Sequence, residues 1–202
     1  MKFNKNWTTI VEVIVVMLIV VVWIIWASNI YQKSQDLTIS TQNRLIAIDI
    51  AREWIEAVTN IRDTNWILFS ANTNYCWNVW GYNANCLTST DQTNNIIDWS
   101  YNITLDINNR WKLNKYTWSI YDYKNTTYQN HFKIKKDANW LYTQWTWTDF
   151  KPLFTREIKI TYINSANPEN EMKVESIVKW VDKTKNTNYE LKLETMLTNW
   201  QK

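Results

Sequence analysis

Few side chains in this 202-residue sequence are placed where they could do chemistry. Glu12 is an acid inside an otherwise apolar run, NWTTIVEVIVV at 6–16. A carboxylate within a membrane helix costs about 2.5–3.5 kcal/mol even on lenient scales, so it is usually kept for a function and a partner. Cys76 and Cys86 are the two cysteines. Outside the cytoplasm the pair reads as a disulfide that stiffens its loop by roughly 2–3 kcal/mol, with a buried pair of free thiols as the alternative. One histidine, His131, beside two cysteines is too small a set for a protein-built zinc or iron–sulfur site. No nucleophile motif accompanies the scattered carboxylates Asp106, Asp122 and Asp137, which read as solvated surface. The chain is therefore read as no enzyme, with no metal and no cofactor.

Glu12 and the cysteines need elements to position them. Lys2 and Lys5 precede the apolar segment 10–27, whose length of roughly 27 Å is close to a bilayer's hydrocarbon thickness. Lysines on this side favour a cytoplasmic N-terminus. As a cleaved secretory signal the run has only a weak site, Ala27-Ser28-Asn29, and as a plain anchor it has no use for Glu12. Helical periodicity then continues, with Leu45, Ile48, Ala51, Ile55, Val58 and Ile61 on one face and Asp49, Arg52, Glu53 and Glu56 on the other. The spacing predicts one helix over about 8–62, on the order of 80 Å long, half in lipid and half amphipathic.

Residues 63–95 dissolve into Asn, Thr and Ser, a connecting loop that holds both cysteines. Strands follow. Ile158, Ile160 and Tyr162 alternate on one face of 154–162; Met172, Val174, Val178 and Trp180 do so in the next run; Tyr189, Leu191, Leu193 and Leu197 close the set, with Glu190, Lys192 and Glu194 turned outward. Further strands are expected near 99–107, 112–121 and 131–135, separated from the rest by turns such as 164–170 and 183–188. The expected fold class is α+β: a long N-terminal helix packed on a C-terminal antiparallel sheet, a meander whose one face the amphipathic half of the helix covers.

Composition adds an oddity. The net charge of +3 is slight and no basic block appears, so nucleic acid is not expected as a partner. There is 1 glycine against 15 tryptophans, where about 14 glycines would be ordinary for this length. Turns and helix ends need glycine because it alone enters positive φ without strain. Some bacterial lineages read UGA as glycine, and a translation that reads it as tryptophan produces this swap. The segments 109–112 (Asn-Arg-Trp-Lys), 138–141 (Ala-Asn-Trp-Leu) and 144–148 (Gln-Trp-Thr-Trp-Thr) read naturally as turns with glycine in place of Trp. On this reading Trp7, Trp23, Trp26, Trp54, Trp111, Trp140, Trp145 and Trp147 are UGA positions. Folded as written, the chain should leave several large indoles exposed at turns. The competing reading is a genuine Trp- and Tyr-rich, ligand-stacking surface on a membrane-anchored binding module, an adhesin or carbohydrate binder.

A short basic leader, a glutamate five residues past a junction, a membrane-length helix and a C-terminal sheet together resemble the type IV pilin superfamily, which includes pilus subunits and the pseudopilins of type II secretion. The resemblance implies that a prepilin peptidase cuts after a glycine and methylates the new N-terminus, with Glu at the fifth mature position. Counted from Thr8, that Glu is Glu12; Thr8 is the implied methylated residue, and Trp7 stands where the family has its glycine. The stretch from Ala51 to Trp66 is similar to the helix end of minor pilins, where Glu-Gly-Ile-Glu is usual and Trp54 replaces the glycine. The ending Leu197-Thr-Asn-Trp200 and the Trp180 strand are similar too, so Trp66, Trp180 and Trp200 read as true tryptophans. The implied organisation is a leader at 1–7, a transmembrane half-helix at 8–28, an amphipathic half at 29–65, a connecting loop at 66–95 and a sheet domain at 96–202. The implied partners are prepilin peptidase, other pilin subunits, inner-membrane assembly machinery and the lipid bilayer. The implied location is the inner membrane with the head outside the cytoplasm, and then a filament.

Overall fold

The computed structural model describes residues 5–82, 84–88, 95–105, 110–116, 130–136, 142–143, 148–149, 154–163, 171–182 and 187–199; for 5–9, 136, 142–143, 148–149 and 182 it is the backbone that is described. Lys2, Asp106, Asp122, Asp137, Trp140, Trp145, Trp147 and Trp200 lie outside the described residues, as do the turns at 164–170 and 183–186.

A single helix, α1, spans Lys5–Leu68. No proline or glycine falls within it, and the hydroxyls of Ser28, Thr38, Thr41 and Thr59 donate to carbonyls four residues back at 2.8–2.9 Å, so they add no unpaired donors to the helix surface. The helix begins before and ends after the expected 8–62. The chain divides into two units, 1–43 and 44–202. In the first, every described side chain from Ile10 to Gln35 is exposed, and α1 is long and apolar enough there to cross a membrane.

In the second unit, the remainder of α1 lies on a five-stranded antiparallel sheet of order β2-β1-β6-β7-β8. The strands are β1 (Trp99–Leu105), β2 (Trp111–Lys115), β6 (Phe154–Tyr162), β7 (Glu171–Asp182) and β8 (Thr187–Thr198). Three two-residue strands, β3 (Lys135–Lys136), β4 (Tyr142–Thr143) and β5 (Thr148–Asp149), make a second small sheet. The sheet is thus not the continuous meander expected: β1 and β2 form one antiparallel pair, β6 to β8 form a run of three, and β1 joins them through Trp99↔Ile160 and Tyr101↔Ile158. Residues 130–132 are helical rather than extended, so the strand expected at 131–135 is reduced to its end.

The strand alternation holds. Ile158, Ile160, Tyr162, Met172, Val174, Val178 and Trp180 are all buried, and Glu190, Lys192 and Glu194 are exposed. The core joins Trp54, Ala57, Val58, Ile61 and Trp66 of α1 to Tyr101, Ile103, Leu113, Ile158, Ile160, Met172 and Leu197; Ala47, Ile50 and Ala51 meet Phe154, Val178 and Trp180. The covered helix face is rotated from the expected one. Ala47, Ile50, Trp54 and Ala57 are inside, Leu45 is 57% exposed, and Ile48 and Ile55 are half-buried. Ala51, Val58 and Ile61 of the expected stripe are buried, so the covered face keeps half of that stripe and adds Ala47, Ile50, Trp54 and Ala57 to it.

Candidate functional site

The residues proposed for cleavage and assembly stand at the start of α1. The backbone at Trp7 and Thr8 is helical, and their side chains lie outside those described. Glu12 is exposed on the same helix, flanked by Val11, Val13 and Ile14, each more than half exposed. Among the described residues it forms no ion pair and no side-chain hydrogen bond. A carboxylate on an apolar helix surface of this kind is costly in lipid unless it is paired.

The two cysteines are joined. Cys76 and Cys86 form a disulfide with Cα atoms 5.4 Å apart, which excludes the free-thiol alternative. The connecting loop expected at 63–95 holds short helices of its own. After α1 come a turn of 3₁₀ helix at Ser70–Asn72, α2 at Thr73–Cys76 and another 3₁₀ turn at Ala84–Leu87, and Phe69, Cys76, Val79 and Cys86 make a small core of their own. Asparagine amides hold it. Asn65 Nδ2 donates to the carbonyls of Trp77 and Val79 at 3.2 and 2.7 Å, Asn72 to Cys86 at 3.2 Å, Asn95 to Tyr75 at 3.3 Å and Asn199 to Thr73 at 3.4 Å. Asn78 Nδ2 donates to the Tyr162 hydroxyl at 2.8 Å, which donates to the Ile96 carbonyl at 2.7 Å. Carbonyls that no helix or strand pairs are satisfied this way, which is what lets a polar-looking segment pack tightly. Asparagine richness was the signal for this arrangement, and taken as composition alone it reads as loop.

Sequence reasoning also missed Arg156. Its side chain is 2% exposed, yet its Nη1 donates to Glu53 Oε2 at 2.7 Å and to the Ile50 carbonyl at 3.5 Å, and its guanidinium lies 3.7 Å from the Trp54 ring centroid. Burial pulls its pKa down to about 10 against the opposing pull of Glu53. Glu53, expected on the solvent face, is the half-buried partner that ties α1 to β6. A charged residue inside an alternating strand was the sequence signal.

At the β2 edge, Lys112 and Lys115 lie over the rings of Trp80 and Trp99, at 5.3 and 4.4 Å, and Arg110 lies 4.7 Å from that of Tyr82. A cleft of about 170 Å³ there is lined by Trp80, Asn95, Ile97, Tyr101 and Lys115. This is the surface the binding-module reading would use.

The expectation of bare indoles at turns is not met among the described residues. The most exposed, Trp23 and Trp26 at 66% and 65%, lie on α1, Trp111 is half-buried at the start of β2, and Trp54 is wholly inside. Indoles bury a large apolar area, and the sheet's helix-facing side takes them in. No protein-family model, curated protein or solved structure matches the chain.

Proposed function

We propose that this chain is a structural subunit, of the minor type, of a type IV pilus or a related secretion pseudopilus, cleaved between residues 7 and 8 and assembled through its N-terminal helix. The observation that carries the reading is Glu12: a lone, exposed acid on a membrane-length apolar helix, at the fifth position after the junction. A long apolar helix whose later part covers an antiparallel sheet is the architecture such a subunit needs, and it supports the reading without singling it out.

On this reading Lys2 and Lys5 hold the leader on the cytoplasmic side and leave with it. Cleavage creates an ammonium at Thr8 beside lipid. Glu12 of a neighbouring subunit neutralises it, which offsets much of the desolvation of both charges and fixes the axial stagger between subunits. Prepilin peptidase and the inner-membrane assembly machinery are the partners before assembly, and other pilin subunits after it. No catalytic group is required.

Glu12→Ala leaves the subunit folded and inserted but lowers its share of sheared filaments relative to total membrane subunit, measured with glycine at position 7 so that cleavage proceeds. Glu12→Gln, which keeps the shape and loses the charge, falls short in the same way. Normal incorporation of both variants would remove Glu12 from assembly and leave the reading on the leader pattern alone. The aromatic and cationic β2 edge favours the second reading, an anchored binding module. That reading expects Lys115→Ala to abolish ligand capture while filament incorporation is untouched.

A further inference from the structure

Among the described residues of the unit that begins at Arg44, four tryptophans are buried, namely Trp54, Trp66, Trp77 and Trp180, and their surroundings divide them into two pairs. Trp66 donates its Nε1–H to Asn199 Oδ1 at 3.3 Å and carries the Arg62 guanidinium 4.5 Å from its ring centroid. Trp180 is stacked on Tyr189 at 5.5 Å and packs against Phe154 at 5.8 Å. Both are used as tryptophans.

Trp54 and Trp77 are 0% exposed, and neither Nε1 has an acceptor among the described residues. A buried donor left without an acceptor bears the full loss of its hydration, and buried indoles usually find a partner. Trp54 stands among Ala47, Ile50, Ala51, Ala57 and Val58 on the buried helix face and packs in the helix–sheet core. The Arg156 guanidinium lies over its ring, and that charge is already held by Glu53 and the Ile50 carbonyl. At 77 the backbone does the work: the carbonyl accepts from Asn65, and the N–H donates to Thr73 O at 3.3 Å. Neither contact requires a side chain.

We infer that positions 54 and 77 carry glycine in the protein as its own cell makes it, each specified by UGA, whereas 66 and 180 carry tryptophan specified by UGG. Sequence context places 54 in the first group and leaves 77 open; the unpaired indole nitrogen groups 77 with it. The inference stands apart from the pilin reading, since it concerns the decoding of the gene and holds for a binding module as well.

The experiment reads the codons at 54, 66, 77 and 180 and sequences the corresponding peptides by mass spectrometry of protein from the native cells. UGA at 54 and 77 with glycine in their peptides, beside UGG and tryptophan at 66 and 180, is the expected result. A UGG codon at 54 or 77, or tryptophan in either native peptide, overturns it.

Discussion

Arg156 is buried with its charge held by a carboxylate at 2.7 Å, so what happens when Glu53 is removed follows from the cost of an unpaired interior cation. Glu53→Ala lowers the unfolding free energy by on the order of 3 kcal/mol. The double change Glu53→Gln/Arg156→Met recovers most of that loss, because neither member of the pair then carries a charge; chemical denaturation of the four-member cycle checks both. Two tyrosines set the alkaline limit. Burial raises the Tyr101 hydroxyl to about 12 and raises that of Tyr162 as well. In the unfolded chain both ionise near 10, so their contribution is whole below that pH and is lost as pH rises through the folded values. Arg156 works in the opposite direction, since its folded pKa is depressed, but it is one group against two. Unfolding free energy therefore falls above pH 10, and Tyr162→Phe flattens that slope while costing about 1 kcal/mol at neutral pH through its lost hydrogen bonds. At this scale the sequence displays charges and hydroxyls but not their depth. Alternation puts Arg156 on the face of Ile158, Ile160 and Tyr162 and Lys159 on the other, but it does not show the carboxylate of Glu53 that lets the guanidinium stay there.

At the scale of elements, alternation made β6, β7 and β8 readable, because a strand with one covered face has a strict period of two. The helix face was harder. Its buried positions mix Ala47, Ala51 and Ala57, which hydrophobic periodicity weights lightly, with Ile50, Trp54, Val58 and Ile61, so a stripe that starts from Leu45 and Ile48 shares only Ala51, Val58 and Ile61 with it. The cap after α1 was read for its disulfide and not for its folding, since side-chain amides satisfying carbonyls leave no periodic trace. Cys76→Ser/Cys86→Ser is expected to lower stability by roughly 2–3 kcal/mol, the entropy of a loop of this size. Non-reduced intact mass of the parent shows the bond, and the variant keeps the sheet signature in circular dichroism, because the helix–sheet core lies elsewhere. Asn65→Ala removes two donors to buried carbonyls and costs about 2 kcal/mol, which denaturant titration detects.

For the whole molecule, the two units ask for different solvents. No residue in the apolar window of α1 is buried, whereas the unit from Arg44 has its own core. A fragment beginning at Arg44 is expected to remain monodisperse in water and to melt cooperatively, while the full chain requires detergent or bilayer; analytical ultracentrifugation of both makes the comparison. The α+β class was open to sequence reasoning because both halves of the argument, a long helix needing cover and a sheet with one apolar face, are written in pattern. The break in the meander was not, since it depends on how β1 finds β6 across the intervening chain. The Trp66–Asn199 contact spans 133 residues, and the strands that cover α1 all follow it in the chain, β8 after the others. The amphipathic face of α1 consequently emerges from the ribosome long before its cover, and it must be kept from aggregating throughout. Folding of this unit is an event that follows synthesis, so a chain cut short within β8 would leave β7 as a bare sheet edge and α1 without Leu197 against its end.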